Sequence, residues 1–202
     1  MSRKVRIAVL VSGGGTNLQA LIDAQQNGII VNGEIALVVS SKPEVFALSR
    51  AKKAEIKNTV IERASFKDDV EAFSHAIKCV LIENNIELVV LAGFMSILTP
   101  AFINAFQDRI LNVHPSLIPS FCGKGFYGLK VHEAALNYGV KLSGATVFIV
   151  NNIVDGGRII SQKAVAVKEG DTPESLQKRI MEEAEWVILP EAVEKVCKEL
   201  VI

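Results

Sequence analysis

Predominantly apolar runs alternate with amphipathic stretches along this chain of 202 residues. The runs near Val5, Leu88 and Ile110 have apolar side chains at nearly every position, which is typical of strands covered on both faces of a parallel sheet. Between these runs, apolar residues recur three and four positions apart, as they do on one face of a helix. The pattern predicts a single α/β domain with a mostly parallel sheet and helices on both of its faces.

The predicted elements follow one another regularly up to the middle of the chain. Strands are predicted at residues 5–11, 34–40, 58–61, 88–92, 110–113, 145–150 and 158–167. Helices are predicted at residues 17–26, 45–54, 66–85, from Thr99 onwards, at 131–138, and from 172 to the end with an interruption near Pro190. The last two strands follow a long glycine-containing loop at 116–128 and lie close together in sequence, so the C-terminal part of the sheet should be antiparallel or mixed.

Charge and cysteine content argue against several classes of protein. The 22 basic residues balance the 22 acidic ones, whereas wide nucleic-acid binding needs a basic face, so no nucleic-acid partner is expected. The first apolar run contains Arg6 and is too short for a signal peptide or a membrane span, so no membrane association is expected. Cys79, Cys122 and Cys197 are far apart and have no CxxC spacing, which disfavours disulfides and zinc and fits a reducing, cytoplasmic setting.

An amide and an imidazole stand at the end of the strand predicted at 110–113. Asn112 and His114 are two residues apart, and alternation along a strand puts both on the same side. Pro115 then ends the hydrogen-bonded ladder and turns the chain. Histidine is suited to proton transfer near neutral pH, and asparagine can hold a developing oxyanion. The pair is a candidate catalytic site, with the alternative that both side chains only satisfy a turn.

A glycine-rich segment from Ser12 to Asn17 links the first strand to the first helix. Glycines let backbone N–H groups approach an anion, and a helix N-terminus favours negative charge. The segment lacks the Gly-Lys-Ser/Thr of a P-loop, and Leu18 replaces the third glycine of a dinucleotide fingerprint. The second strand also ends without the acidic residue that would hold an adenosine ribose. The segment therefore predicts a site for a single phosphate, with a tight turn that binds nothing as the alternative.

Two later segments are further candidates. Asp155 follows a strand, and a carboxylate there could orient an imidazole or hold a water, although Asp-Gly is also a common turn signal. Residues 94–98, after Gly93, could wall an apolar slot for a flat heterocycle, although ordinary core packing is the alternative. His75 and His132 fall in helical segments and are predicted to be surface or capping residues rather than catalytic ones.

Five segments carry a family resemblance: SGGGTNLQALIDA, VVLAGFMSIL, LNVHPSLIPSF, GATVFIV and DGGRIISQ. Together, and in this order, they resemble the phosphoribosylglycinamide formyltransferases, the folate-dependent formyltransferases of purine synthesis. The resemblance implies one Rossmann-like formyltransferase domain over residues 1–202, with a phosphate-binding half at 1–100 and a folate-binding and catalytic half at 101–202. It also implies formyl transfer from the co-substrate 10-formyltetrahydrofolate to the amine of 5-phosphoribosylglycinamide. Both partners are small molecules, no metal is needed, and a monomer or homodimer is expected.

The resemblance also assigns roles to individual residues. Asn112 matches the amide that stabilises the oxyanion, His114 the general acid/base, and Asp155 the carboxylate that tunes the histidine and organises water. The residues that match the phosphoribosylglycinamide side are Gly15, Thr16, Asn17, Pro115 and Glu185. The residues that match the folate side are Met95, Ser96, Ile97, Leu98, Asn112, Asn151, Asn152, Ile153, Val154 and Asp155.

Two positions depart from the family's usual pattern, and other functions stay open. Phe148 stands where the family often has histidine, and Ser96 stands where arginine is common. A 10-formyltetrahydrofolate hydrolase would share Asn112, His114 and Asp155. A non-catalytic phosphate- or nucleotide-binding module would explain the glycine segment but not these three residues. A methionyl-tRNA formyltransferase would need an added nucleic-acid-binding domain and a basic surface.

Overall fold

Seven strands form one sheet in the computed structural model, which describes residues 3–201. They are β1 (Val5–Val11), β2 (Gly33–Ser40), β3 (Asn58–Val60), β4 (Leu88–Leu91), β5 (Ile110–His114), β6 (Leu142–Ile149) and β7 (Ile159–Ala166). Their order across the sheet is β3-β2-β1-β4-β5-β6-β7. The first five strands are parallel, and β6 and β7 are antiparallel to their neighbours. The predicted mostly parallel sheet with a mixed C-terminal part is confirmed.

Helices connect the strands and close the C-terminal part of the chain. They are α1 (Thr16–Gln26), α2 (Phe46–Lys53), α3 (Val70–Glu83), α4 (Pro100–Ala105), α5 (Leu129–Tyr138), α6 (Pro173–Ile180) and α7 (Trp186–Leu200). A 3-10 turn covers Arg63–Phe66, and a π-helical turn covers Met181–Glu185 between α6 and α7. The helix expected at 66–85 begins only at Val70, because Lys67 adopts a left-handed φ of 48° and the Asp69 side chain then caps the helix.

Both faces of the sheet are covered by helices, as the apolar strands predict. Along β1, Val5, Ile7, Val9 and Val11 belong to one core cluster, whereas Ala8 and Leu10 belong to the other. The first cluster includes residues of α1, α2, α5, α6 and α7, and the second includes residues of α3 and α4. The alternation of a strand thus sends successive side chains into two separate cores.

The strand order places a crevice at the centre of the sheet. The chain leaves β1, builds β2 and β3 on one side, and returns to place β4 on the other side of β1. In open α/β sheets, such a reversal leaves a gap beyond the carboxyl ends of the strands in which ligands bind. The segments after β1, β4 and β5 all begin at this end of the sheet. These segments contain the glycine-rich turn, residues 93–98, and Asn112 with His114.

The predicted interruption near Pro190 is wrong. Pro190 lies inside α7, and the irregularity comes earlier, at the π-helical turn of Met181–Glu185. A proline inside a helix forfeits the hydrogen bond to the carbonyl four residues before it. For Pro190 that carbonyl belongs to Trp186, the junction where the π turn becomes α-helix. The turn directly before this junction is wider than an α-helix, since the Trp186 N–H bonds to the carbonyl of Met181 five residues before it.

Candidate active site

His114 and Asp155 meet at the carboxyl end of β5. His114 is the last residue of the strand and is 5% exposed. Its Nδ1 lies 3.7 Å from Oδ2 of Asp155, which the connection between β6 and β7 carries back to the strand end. Asp155 has a left-handed φ of 52°, a conformation that aspartate tolerates better than most residues do. The structure therefore brings together two residues that the sequence could only propose separately.

The loop after β5 contacts both members of this pair. His114 Nε2 lies 2.8 Å from the main-chain carbonyl oxygen of Phe121, and the Gly123 N–H donates to Asp155 Oδ2 over 2.8 Å. A carbonyl oxygen only accepts, so Nε2 carries a hydrogen. Both ring nitrogens of His114 thus face oxygen acceptors. Together these two contacts hold the imidazole ring in one orientation at the strand end.

Asn112 lies beside this pair and has a free amide. It is half-buried in β5, opposite Leu91 of β4 and Phe148 of β6. Within residues 3–201, nothing donates to or accepts a hydrogen bond from its side chain, which leaves the amide available to a ligand. Phe148 is 1% exposed, so the position where the family often has histidine is filled by an enclosed aromatic ring.

The glycine-rich turn ends at the N-terminus of α1. Gly15 has a φ of 71°, and α1 begins at Thr16. A Cβ on Gly15 would lie 2.7 Å from that of Ala47 in α2, so the small residue is also required by helix packing. Gly13 and Gly14 have open space where a Cβ would stand. Arg50 of α2, which sequence reasoning missed, donates from Nε to the carbonyl of Gly14 over 2.9 Å and fixes the turn.

Glu185 reaches this turn from the opposite end of the chain. The π-helical turn ends at Glu185, and the Asn17 amide donates to its Oε2 over 2.7 Å. Burial raises the pKa of Glu185, and the hydrogen bond from Asn17 opposes the rise only in part. The structure thus brings Glu185 against the glycine-rich turn, a contact that no spacing in the sequence could reveal.

A buried serine links the glycine-rich turn to the segment after β4. The Met95 N–H donates to Ser12 Oγ over 3.0 Å, and Ser12 Oγ also lies 2.6 Å from Ser41 Oγ. The two segments that flank the central crevice are thereby held in a fixed relation. In the sequence Ser12 only marks the start of the glycine-rich turn, and no sequence pattern predicts this contact.

The segments expected to surround a pteridine are largely open to solvent. Met95, Ile97, Ile153 and Val154 are large apolar side chains that stay more than half exposed. Exposed apolar groups clustered in this way are typical of a ligand-facing surface. Ser96 and Pro115 are half-buried, and Asn151 and Asn152 are exposed. Leu98 was also expected on the folate side, but its side chain is buried in the core cluster that contains residues of α3 and α4.

The prediction that His132 is a surface or capping residue is wrong. Its side chain lies in α5 and is 0% exposed, whereas His75 in α3 is exposed. Neither ring nitrogen of His132 has a hydrogen-bond partner among residues 3–201. Burial, together with the charge of His114, lowers the pKa of His132 to about 4. His132 is therefore neutral at physiological pH.

A metal centre or a membrane span finds no support in the described part of the chain. No group of three or more His, Cys, Asp or Glu side chains in residues 3–201 is arranged to hold a metal ion. No helix in the same range is long and apolar enough to cross a membrane.

Comparison with known proteins agrees with this architecture. The formyl transferase family model matches residues 5–193. The chain belongs to the formyl transferase family. The sequence resemblance is thus confirmed, and so is the prediction of an enzyme of this family.

Several members of the formyl transferase family are similar over most of this chain. The phosphoribosylglycinamide formyltransferase of Haemophilus influenzae is 42% identical over 185 residues, which are 92% of this chain and 84% of that protein. The crystal structure of glycinamide ribonucleotide transformylase 1 from Symbiobacterium toebii has a TM-score of 0.90 and 41% identity, covering 97% of this chain and 89% of that one. The human trifunctional purine biosynthetic protein adenosine-3 is 44% identical over 194 residues, or 96% of this chain, but the chain spans only 18% of its length.

Proposed function

We propose that this chain transfers the formyl group of 10-formyltetrahydrofolate to the amine of 5-phosphoribosylglycinamide. The observation that carries the proposal is the His114–Asp155 pair, set beside the free amide of Asn112 at the end of β5. Relatives with the same named activity support the choice of substrates. A phosphate-binding module alone would not account for these three polar side chains at the strand end.

The two sides of the crevice suit the two substrates. The phosphate of phosphoribosylglycinamide would bind the backbone N–H groups at the start of α1, from Gly15 to Asn17, where a helix N-terminus attracts an anion. Glu185, joined to Asn17, and Pro115, next to His114, would face the rest of this substrate. The phosphoribosylglycinamide site was expected to lie in residues 1–100. In this proposal Pro115 and Glu185, from the C-terminal half of the chain, would also contribute to it.

The folate would lie on the other side of the crevice. Its pteridine would cover the exposed apolar side chains of Met95, Ile97, Ile153 and Val154, with the polar atoms of Ser96, Asn151 and Asn152 available to its edges. Leu98 would support this surface from the core side. The Ser12–Met95 hydrogen bond would hold the folate side and the phosphate side at a constant separation.

The proposed chemistry is direct attack of the substrate amine on the formyl carbon. A C–N bond forms, and negative charge develops on the formyl oxygen, where a hydrogen bond from the Asn112 amide and the positive charge of protonated His114 would stabilise it. The new ammonium loses a proton, the folate nitrogen gains one, and the bond from the formyl carbon to that nitrogen breaks. Asp155 would stabilise the imidazolium of His114 while these proton transfers take place.

Assay of the purified chain with both substrates tests the proposal. Tetrahydrofolate and formylated phosphoribosylglycinamide should appear in equal amounts, and omission of phosphoribosylglycinamide should stop folate turnover. Tetrahydrofolate and free formate formed without the acceptor would instead indicate a hydrolase. Binding of both substrates without turnover would indicate a non-catalytic module.

A further inference from the structure

Thr146 holds the turn that follows His114, although the proposed chemistry does not use it. It lies directly opposite His114 in the pairing of β5 with β6, and its side chain is fully buried. Its hydroxyl donates to the carbonyl of Ser116 over 2.7 Å and accepts from the N–H of Ile118 over 3.1 Å. Thr146 thus binds both ends of a three-residue turn next to the candidate catalytic histidine.

Gln162, in β7, adds further hydrogen bonds to Thr146 and to the turn that Thr146 holds. It lies directly opposite Thr146 in the pairing of β6 with β7. Its Nε2 group donates to Thr146 Oγ1 and to the carbonyl of Ile118, both over 3.0 Å. An amide has two N–H hydrogens, and a hydroxyl can donate once and accept twice, so these groups use their full capacity. Such a network favours a single geometry of the turn.

The turn matters because it leads to the atom that His114 contacts. Pro115 cannot donate to the sheet, so the ladder ends at His114 and the chain beyond it needs another anchor. The Ser116 hydroxyl donates to the carbonyl of Ser120 over 2.6 Å, and the next carbonyl, that of Phe121, faces Nε2 of His114. Hydrogen bonds and the short backbone segments between them therefore connect Gln162 to the imidazole.

We propose that Gln162 and Thr146 are positioning residues for His114, and that they orient its ring through the turn at Ser116 and Ile118. This inference rests on the proposed function for its kinetic consequences, but not for the orientation of the ring. Gln162 is itself exposed, so its hydrogen bonds within the protein would be readily replaced by water if stability alone were concerned.

Gln162→Met tests the proposal because it keeps the length of the side chain and removes both donors. We expect kcat to fall by about tenfold to a hundredfold with KM for each substrate nearly unchanged, since a misplacement of about 1 Å can cost about a hundredfold in rate. The pH dependence of kcat should change as well. Lys163→Met, one residue further along β7 and on its opposite face, is the matched control and should leave kcat and KM unaffected. Thr146→Ser keeps the hydroxyl and should retain activity, whereas Thr146→Val should lose it.

NMR spectra of the histidine rings separate this proposal from the proposed function. In the folded protein, Gln162→Met should shift the ring signals of His114, and Lys163→Met should not. If the native chain transfers no formyl group but the signals shift, the proposed function fails and the positioning role stands. If Gln162→Met leaves both the ring signals and kcat as in the native chain, the positioning role is overturned. Should Thr146→Val fail to fold, the exposed Gln162 still gives a decisive result.

Discussion

Acid should destabilise this protein more than it destabilises a His132→Leu variant. The unfolded chain binds a proton on this histidine near its ordinary pKa of 6.5, whereas burial lowers the pKa in the folded state to about 4. Between these values the unfolded state binds more protons, so the free energy of unfolding falls as the pH falls. The full difference corresponds to about 3 kcal/mol, of which about 2 kcal/mol should be lost by pH 5. Below pH 4 this group should contribute no further loss.

Urea unfolding at several pH values measures the effect. The stability of His132→Leu relative to the native chain should rise by about 2 kcal/mol between pH 7.5 and pH 5, because the carboxylates common to both proteins cancel. At pH 7.5 the variant should be at least as stable, since leucine removes two buried nitrogens that have no partner among the described residues. His75→Leu, at an exposed position, is the control and should not change the pH dependence. A constant difference between His132→Leu and the native chain across this range would refute the argument.

Four further predictions concern the site. His114→Ala should lower turnover by about a hundredfold or more in a folded protein, because a general acid/base contributes that much; steady-state kinetics with circular dichroism as the fold control would show it. Asp155→Asn should preserve substrate binding and the acceptor for Gly123 but depress turnover, and an unchanged pH–rate profile would contradict a role in supporting the imidazolium. Gly14→Val should weaken phosphoribosylglycinamide binding much more than folate binding in calorimetry, since its Cβ has room in the fold and the larger side chain would crowd the proposed phosphate site; equal losses would argue against a phosphate site. Phe148→His should change formyl transfer by less than about tenfold, because we expect the buried ring to serve only as an apolar wall, and a much larger gain would show that the native site is impaired.

The fold was predictable because its signals are local. Strands such as Val5–Val11 are apolar at successive positions, and the two separate cores of the sheet account for this pattern directly. Pro190 misled the prediction because a local rule for proline takes no account of a π-helical turn just before it. His132 was misplaced although Val131 and Ala135, both buried, lie on the same helix; their spacing could have indicated that the imidazole points inward.

The site was predictable only in part, because its contacts join distant segments. Asn112 and His114 were predictable as neighbours because they lie two residues apart on one strand, and alternation puts both on the same side. The approach of Asp155 to His114, and of Glu185 to Asn17, depends on how a connection and a helix fold back over the sheet. No periodicity encodes such contacts, so Asp155 was a candidate only as a carboxylate after a strand, and Glu185 was a candidate only through family resemblance.

The position of β1 in the middle of the sheet has a consequence for how the protein is made. A ribosome delivers β1 first, and β2 and β3 can pair on one side of it as soon as they emerge. The other side of β1 pairs with Leu88–Leu91 and stays open until that strand has been synthesised. Until then, an apolar strand presents unpaired backbone groups, which are the feature that promotes association between chains. In a nascent chain that stalled before β4, the apolar strand β1 would therefore be an unpaired edge strand that is prone to aggregation.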